Sequence, residues 1–174
     1  MEISPTSLLK LALLGYLAGG VMGLLFQRRE SLANVFSFGC ASLASAFGVV
    51  SCVMSLATGA AGSASQFRLM PSLVPYVQYT VRLDPLAAFF GAIVSLLGLA
   101  LSIYSLGYAR GYYGRKNVGV LGALFNMLLL AVTLVFISDN AFFFLIAWEI
   151  MALMAYCLVS YEHEHEEARR AGVL

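Results

Sequence analysis

Five long stretches of this 174-residue chain are apolar at almost every position. They cover residues 8–26, 32–57, 85–106, 118–137 and 141–160, and each can cross about 30 Å of hydrocarbon as a helix. Barrel strands would show segments of about 10 residues with alternating character, so the unbroken runs predict helices. Local chemistry agrees with these limits. Asp84 can cap the third helix, and Pro85 suits its first turn, where the missing N–H is no loss. Ser138, Asp139 and Asn140 form a turn that folds the fourth and fifth helices into an antiparallel pair. Gly62, Ser63, Pro71 and Pro75 predict an irregular gap over residues 58–84. Glu2 stands where a signal peptide would be basic, so the first run reads as a retained span. The expected fold is all-α: a polytopic transmembrane helix bundle with five spans, forming a single domain over residues 1–174.

Composition narrows the function classes. Hydrophobic residues make up 61% of the chain and charged ones 11%, against about 45–50% and about 25% in soluble domains. Mean hydropathy is +0.88. A soluble domain, a disordered segment, a disulfide scaffold and a nucleic-acid-binding module are all disfavoured, and the bilayer is the expected solvent. The net charge of +1 creates no field for a polyanion. Cys40, Cys52 and Cys157 show no metal-binding spacing and read as small packing residues. No phosphate-binding loop, cysteine cluster or intramembrane histidine is present. No cofactor or metal is therefore expected, and redox chemistry would belong to a partner. Arg28, Arg29, Arg110, Arg115, Lys116, Arg169 and Arg170 fall on one side of the membrane, and Lys10, Arg68 and Arg82 on the other. Basic loops stay inside, so the N-terminus is expected outside and the C-terminus inside.

Two charges lie within the spans. Lys10 is the third residue of its run, and its ammonium can reach the interface along its alkyl stem. Glu149 is the ninth residue of its run, about 12 Å along the helix, and too short to reach water. A charge at that depth costs on the order of 3 kcal/mol, and intramembrane carboxyls usually serve function. Hydrocarbon disfavours the carboxylate form, which suits a proton relay. The alternative is a permanently protonated acid bonded to a neighbouring helix. At about 100° per residue, Tyr156 and Ser160 share the Glu149 face. Tyr156 either belongs to the polar stripe or is an interfacial aromatic. Asn126 lies within about a turn of Glu149 in depth. It either bonds the carboxyl or holds two helices together. The candidate proton-transfer residues are thus Glu149, Asn126 and Tyr156.

Gly15, Gly19 and Gly23 on the first helix, and Gly91, Ser95, Gly98 and Ser102 on the third, mark close packing faces. In a helix, His163 and His165 would lie about 200° apart and could not share one ion. The tail around them reads as a solvated polar segment.

Four segments resemble a known family. They are Leu83-Asp84-Pro85-Leu86-Ala87-Ala88-Phe89-Phe90, Ser102-Ile103-Tyr104-Ser105-Leu106-Gly107-Tyr108, Ala147-Trp148-Glu149-Ile150-Met151-Ala152-Leu153 and the tail from Tyr161 to Gly172. In this order they are similar to the antiporter-like membrane subunits of complex I and its hydrogenase relatives. The likeness leans toward the branch of hydrogenase-4 component B and the formate hydrogenlyase membrane subunit. It covers roughly residues 80–174; the first 79 residues match in span count and placement. The resemblance implies a proton-transfer role for Glu149, working with lysines on later helices. It also implies partner subunits, both membrane and peripheral, in a hydrogenase or complex I-like assembly of the inner cell membrane. Family members carry many more than five helices, so the chain is expected to be an N-terminal portion of a longer subunit. The alternatives are a non-conducting membrane scaffold and a small proton-coupled exporter.

Overall fold

The computed structural model describes residues 4–57, 65–70 and 79–161. Five long helices, α1 (Pro5–Leu25), α2 (Glu30–Ala57), α3 (Pro85–Tyr108), α4 (Val118–Ile137) and α5 (Ala141–Ser160), carry most of it. All five are long and apolar enough to cross a membrane. A single 3₁₀ turn, Ala109–Tyr112, follows α3. The helix starts are locally determined. Ser4, Asp84, Asn117 and Asn140 cap α1, α3, α4 and α5, each accepting a bond from a first-turn backbone N–H.

The all-α expectation is corrected between α2 and α3. Strands β1 (Ser65–Met70) and β2 (Tyr79–Leu83) form an antiparallel hairpin, with Phe67 opposite Val81 and Arg68 opposite Thr80. Residues 62, 63, 71 and 75, which predicted irregular structure, lie outside the described residues. The strands are short, and their inward residues find an apolar surface only where the helix ends meet. Val81 and Leu83 are fully buried there, and Phe67 and Leu69 pack against the same cluster. The hairpin is also tied to the α4–α5 turn. Asp139 N donates to Thr80 O (3.1 Å). The Asp139 carboxylate accepts from Arg82 Nε (2.7 Å) and Gln66 Nε2 (2.9 Å).

α2 is the hub, packed against α1, α3 and α4. The small-residue faces make the contacts. Gly15 lies against Ala44, and an added Cβ at Gly23 would stand 2.7 Å from Gly119 O. On α3, Gly91, Ser95, Gly98 and Ser102 are all buried. The distribution of polarity is inverted relative to a water-soluble bundle. Asn34, Ser37, Ser45, Ser51, Ser95, Ser102 and Asn126 are buried, while Leu14, Leu43, Leu86, Leu96 and Leu145 face outward. Lipid contact explains such an arrangement, since hydrocarbon accepts leucine and leaves hydroxyls and amides to pair inside.

At the end opposite the hairpin, the α3–α4 connection is held to both neighbours. Glu30 accepts from Gly114 N (3.0 and 2.9 Å), and Gly114 has φ 73°, a conformation that disfavours side chains with a Cβ. Tyr161, just past α5, donates from its hydroxyl to Asn117 O (2.9 Å).

Candidate functional site

α5 packs chiefly on α4 and buries little of itself. Only 11% of its span is covered, against 44% for α1 and for α4. Its buried residues are Phe143 and Ala147. Glu149 and Tyr156 both face outward, amid Leu145, Trp148, Ile150, Leu153 and Val159. The expected shared face of Glu149 and Tyr156 is therefore present, with Ser160 half-buried beyond them. The five helices do not bury the Glu149 carboxyl, because α5 turns Phe143 and Ala147 inward and Glu149 away. Among the described residues neither Glu149 nor Tyr156 makes a hydrogen bond or ion pair.

Asn126 lies elsewhere. It is fully buried on the α4 face that meets α1 and α2. Its amide Nδ2 donates to Ser37 O (3.1 Å), Ser37 Oγ (3.0 Å) and Gly122 O (2.8 Å). Its Oδ1 has no hydrogen-bond partner and abuts Gly19, where an added methyl would collide with it. Of the two alternatives for Asn126, the geometry matches helix-holding, a lock among α1, α2 and α4, and not a bond to Glu149. Depth counted along the chain does not say which face of α4 a residue occupies.

Asn126 belongs to a larger feature, a buried polar spine along α2. Asn34, Ser37, Ser45, Ser51 and Ser55 recur at helical spacing and are all buried. The helix that carries them is 28 residues long, about 42 Å. Ser51 Oγ donates to Pro5 O (2.6 Å), and Tyr16 and Ser45 share a hydrogen bond (3.0 Å). Asn34 Nδ2 donates to Leu106 O (3.0 Å) and to the Tyr113 hydroxyl (2.9 Å). Every one of these groups is neutral, so the spine holds helices together and carries no charge of its own. The recurrence of these polar residues within about 120° of one helix face, inside an apolar run, is the signal that could have found it.

Lys10 is outward-facing, with its Nζ 4.5 Å from the centroid of the Phe67 ring. The three cysteines are free thiols. His163 and His165 lie outside the described residues.

These features define a multi-pass membrane protein whose last described helix carries a carboxyl on an outward face. No family model matches the chain. It is 36% identical to hydrogenase-4 component B of Escherichia coli over 84 residues, 48% of this chain and 12% of the relative. It is 29% identical to NADH-quinone oxidoreductase subunit L of Mycobacterium tuberculosis over 162 residues, 90% of this chain and 25% of the relative. Formate hydrogenlyase subunit 3 of Escherichia coli is 27% identical over 162 residues, again 25% of that protein. The chain is related to the antiporter-like membrane subunits of complex I-type assemblies. It spans a quarter or less of the length of these relatives.

Proposed function

We propose that the chain is part of a proton-translocating membrane subunit in a hydrogenase or NADH-quinone oxidoreductase-type complex. Glu149 is its proton-transfer group. One observation carries this reading: a lone carboxyl at mid-span on an otherwise apolar, outward-facing helix surface. A carboxylate against hydrocarbon costs several kcal/mol, so the face is covered in the assembly by further helices that solvate the acid. Tyr156, on the same face, continues the path toward the membrane surface through intervening water. Asn126 acts indirectly, by fixing α4 as the platform for α5. The names of the relatives supply the electron-transfer partners and the inner cell membrane in this reading, and the basic loops support an outside N-terminus.

The test is Glu149→Gln in the assembled complex, with proton uptake followed in inverted membrane vesicles. At least a tenfold loss of proton movement is expected, with the complex still assembled. Undiminished uptake would remove Glu149 from the path.

The neutral polar spine favours a second reading, a scaffold that conducts nothing. On that reading, deletion of the chain dissociates the complex, while Glu149→Gln leaves both assembly and proton uptake unchanged.

A further inference from the structure

A groove at the hairpin end plays no part in the Glu149 face. α1, α4 and β1 surround an open cavity of about 440 Å³, a size within the roughly 300–1,000 Å³ of small-molecule sites. Its walls are Leu13, Leu14, Leu17, Leu130 and Leu134. Two cations, Lys10 and Arg68, stand among its lining residues. The Lys10 ammonium is held over the Phe67 ring, which keeps it at the groove. Among the described residues neither cation has an acidic partner: Asp139 is taken by Arg82, Asp84 caps α3, and Glu30 binds Gly114 at the far end.

Depth sets the kind of ligand. Lys10 is about 7.5 Å along α1 from Pro5, and Leu17 about 10 Å further. The cations therefore lie near the membrane boundary, and the leucines beyond them cover about 6 Å along each helix within a leaflet about 15 Å thick. Unpaired basic groups above an apolar channel between helices match an anionic headgroup with its hydrocarbon tail. A second helix is a poorer fit, because close helix approach uses small residues and these walls are leucine. We infer that this groove binds an anionic phospholipid, its phosphate held by Lys10 and Arg68 and one acyl chain lying along the leucines.

Native mass spectrometry tests this on the full chain, released from vesicles of equal phosphatidylglycerol and phosphatidylcholine. Wild type should retain phosphatidylglycerol by roughly thirty-fold over phosphatidylcholine, as two basic contacts imply. Lys10→Gln with Arg68→Gln should abolish that preference. Leu14→Trp, which narrows the groove and keeps both cations, should reduce retention of either lipid. Circular dichroism confirms that each variant is folded, and Lys10→Arg should keep the preference if the charge is what matters. Equal retention of the two lipids by wild type would overturn the assignment, as would a preference that survives the double substitution. Inorganic phosphate binding as tightly as the lipid would show a free-anion site instead. A disulfide-linked dimer of Leu14→Cys that forms in place of lipid binding would show a second copy in the groove.

Discussion

The Asn126 amide is the point where three helices meet, and it illustrates how tightly single atoms are specified in this bundle. Its donors are used three times over, while its oxygen rests against the bare backbone of Gly19. Gly19→Ala should therefore cost about 1–3 kcal/mol through overpacking. Asn126→Ala should cost about 1 kcal/mol, the usual worth of an intramembrane hydrogen-bonding side chain. Because the two residues touch, the double variant should be more stable than the sum of the single changes by at least about 0.5 kcal/mol. Reversible unfolding in bicelles checks the cycle, and strict additivity would mean that the two sites do not touch. Tyr161 gives a second residue-level expectation, outside the spans. Burial, and after it the nearby Glu30 carboxylate, raise its phenol above the ordinary tyrosine value. A raised acid favours the folded state below its unfolded value, and that contribution disappears as pH climbs through the higher folded value. The bond from Tyr161 to Asn117 should thus be intact at neutral pH and fail only above about pH 10. The difference absorbance between wild type and Tyr161→Phe should show its phenolate forming later than that of free tyrosine.

At the scale of elements, the hairpin separates burial from surface charge. Val81 is fully buried among helix ends, whereas Arg82 in the ion pair with Asp139 is 44% exposed. Val81→Ala removes two methyl groups from a packed core and should destabilise by about 2 kcal/mol. Asp139→Ala removes a partly solvated pair and should cost under about 1 kcal/mol. Thermal unfolding of the two variants in the same detergent compares them, and the reverse order would show that electrostatics rather than packing docks the hairpin. The helices were far more legible than these strands. Two decades of unbroken apolar residues leave one structural solution in lipid, and Asp84-Pro85 marked its start to the residue. By contrast, Phe67 and Leu69 alternate over too few positions to distinguish a strand from a loop, and their burial depends on α1 and α4, distant in the chain. The same limit applied to Asn126. Its depth could be counted along the chain, but its partners Ser37 and Gly19 were fixed only by which helices became neighbours.

For the whole molecule, α1 to α4 form an interlocked unit and α5 is an appendage with one supported side. That asymmetry has a bearing on how the protein is made. On the proposed reading, an acid pointing into bare lipid is tolerated only briefly, and the lifetime of the chain would depend on how soon its neighbours arrive. A polypeptide synthesised without them would present Glu149 as a visible defect to the cell's membrane quality-control proteases. In a pulse-chase experiment without partner subunits, Glu149→Leu should outlive the wild type by at least about twofold, since the exposed carboxyl that strains the orphan is gone. Equal decay rates would mean that the orphan is recognised by something else. The group proposed to carry protons in the finished complex would then also time its construction, marking as disposable any copy that has not yet found its place.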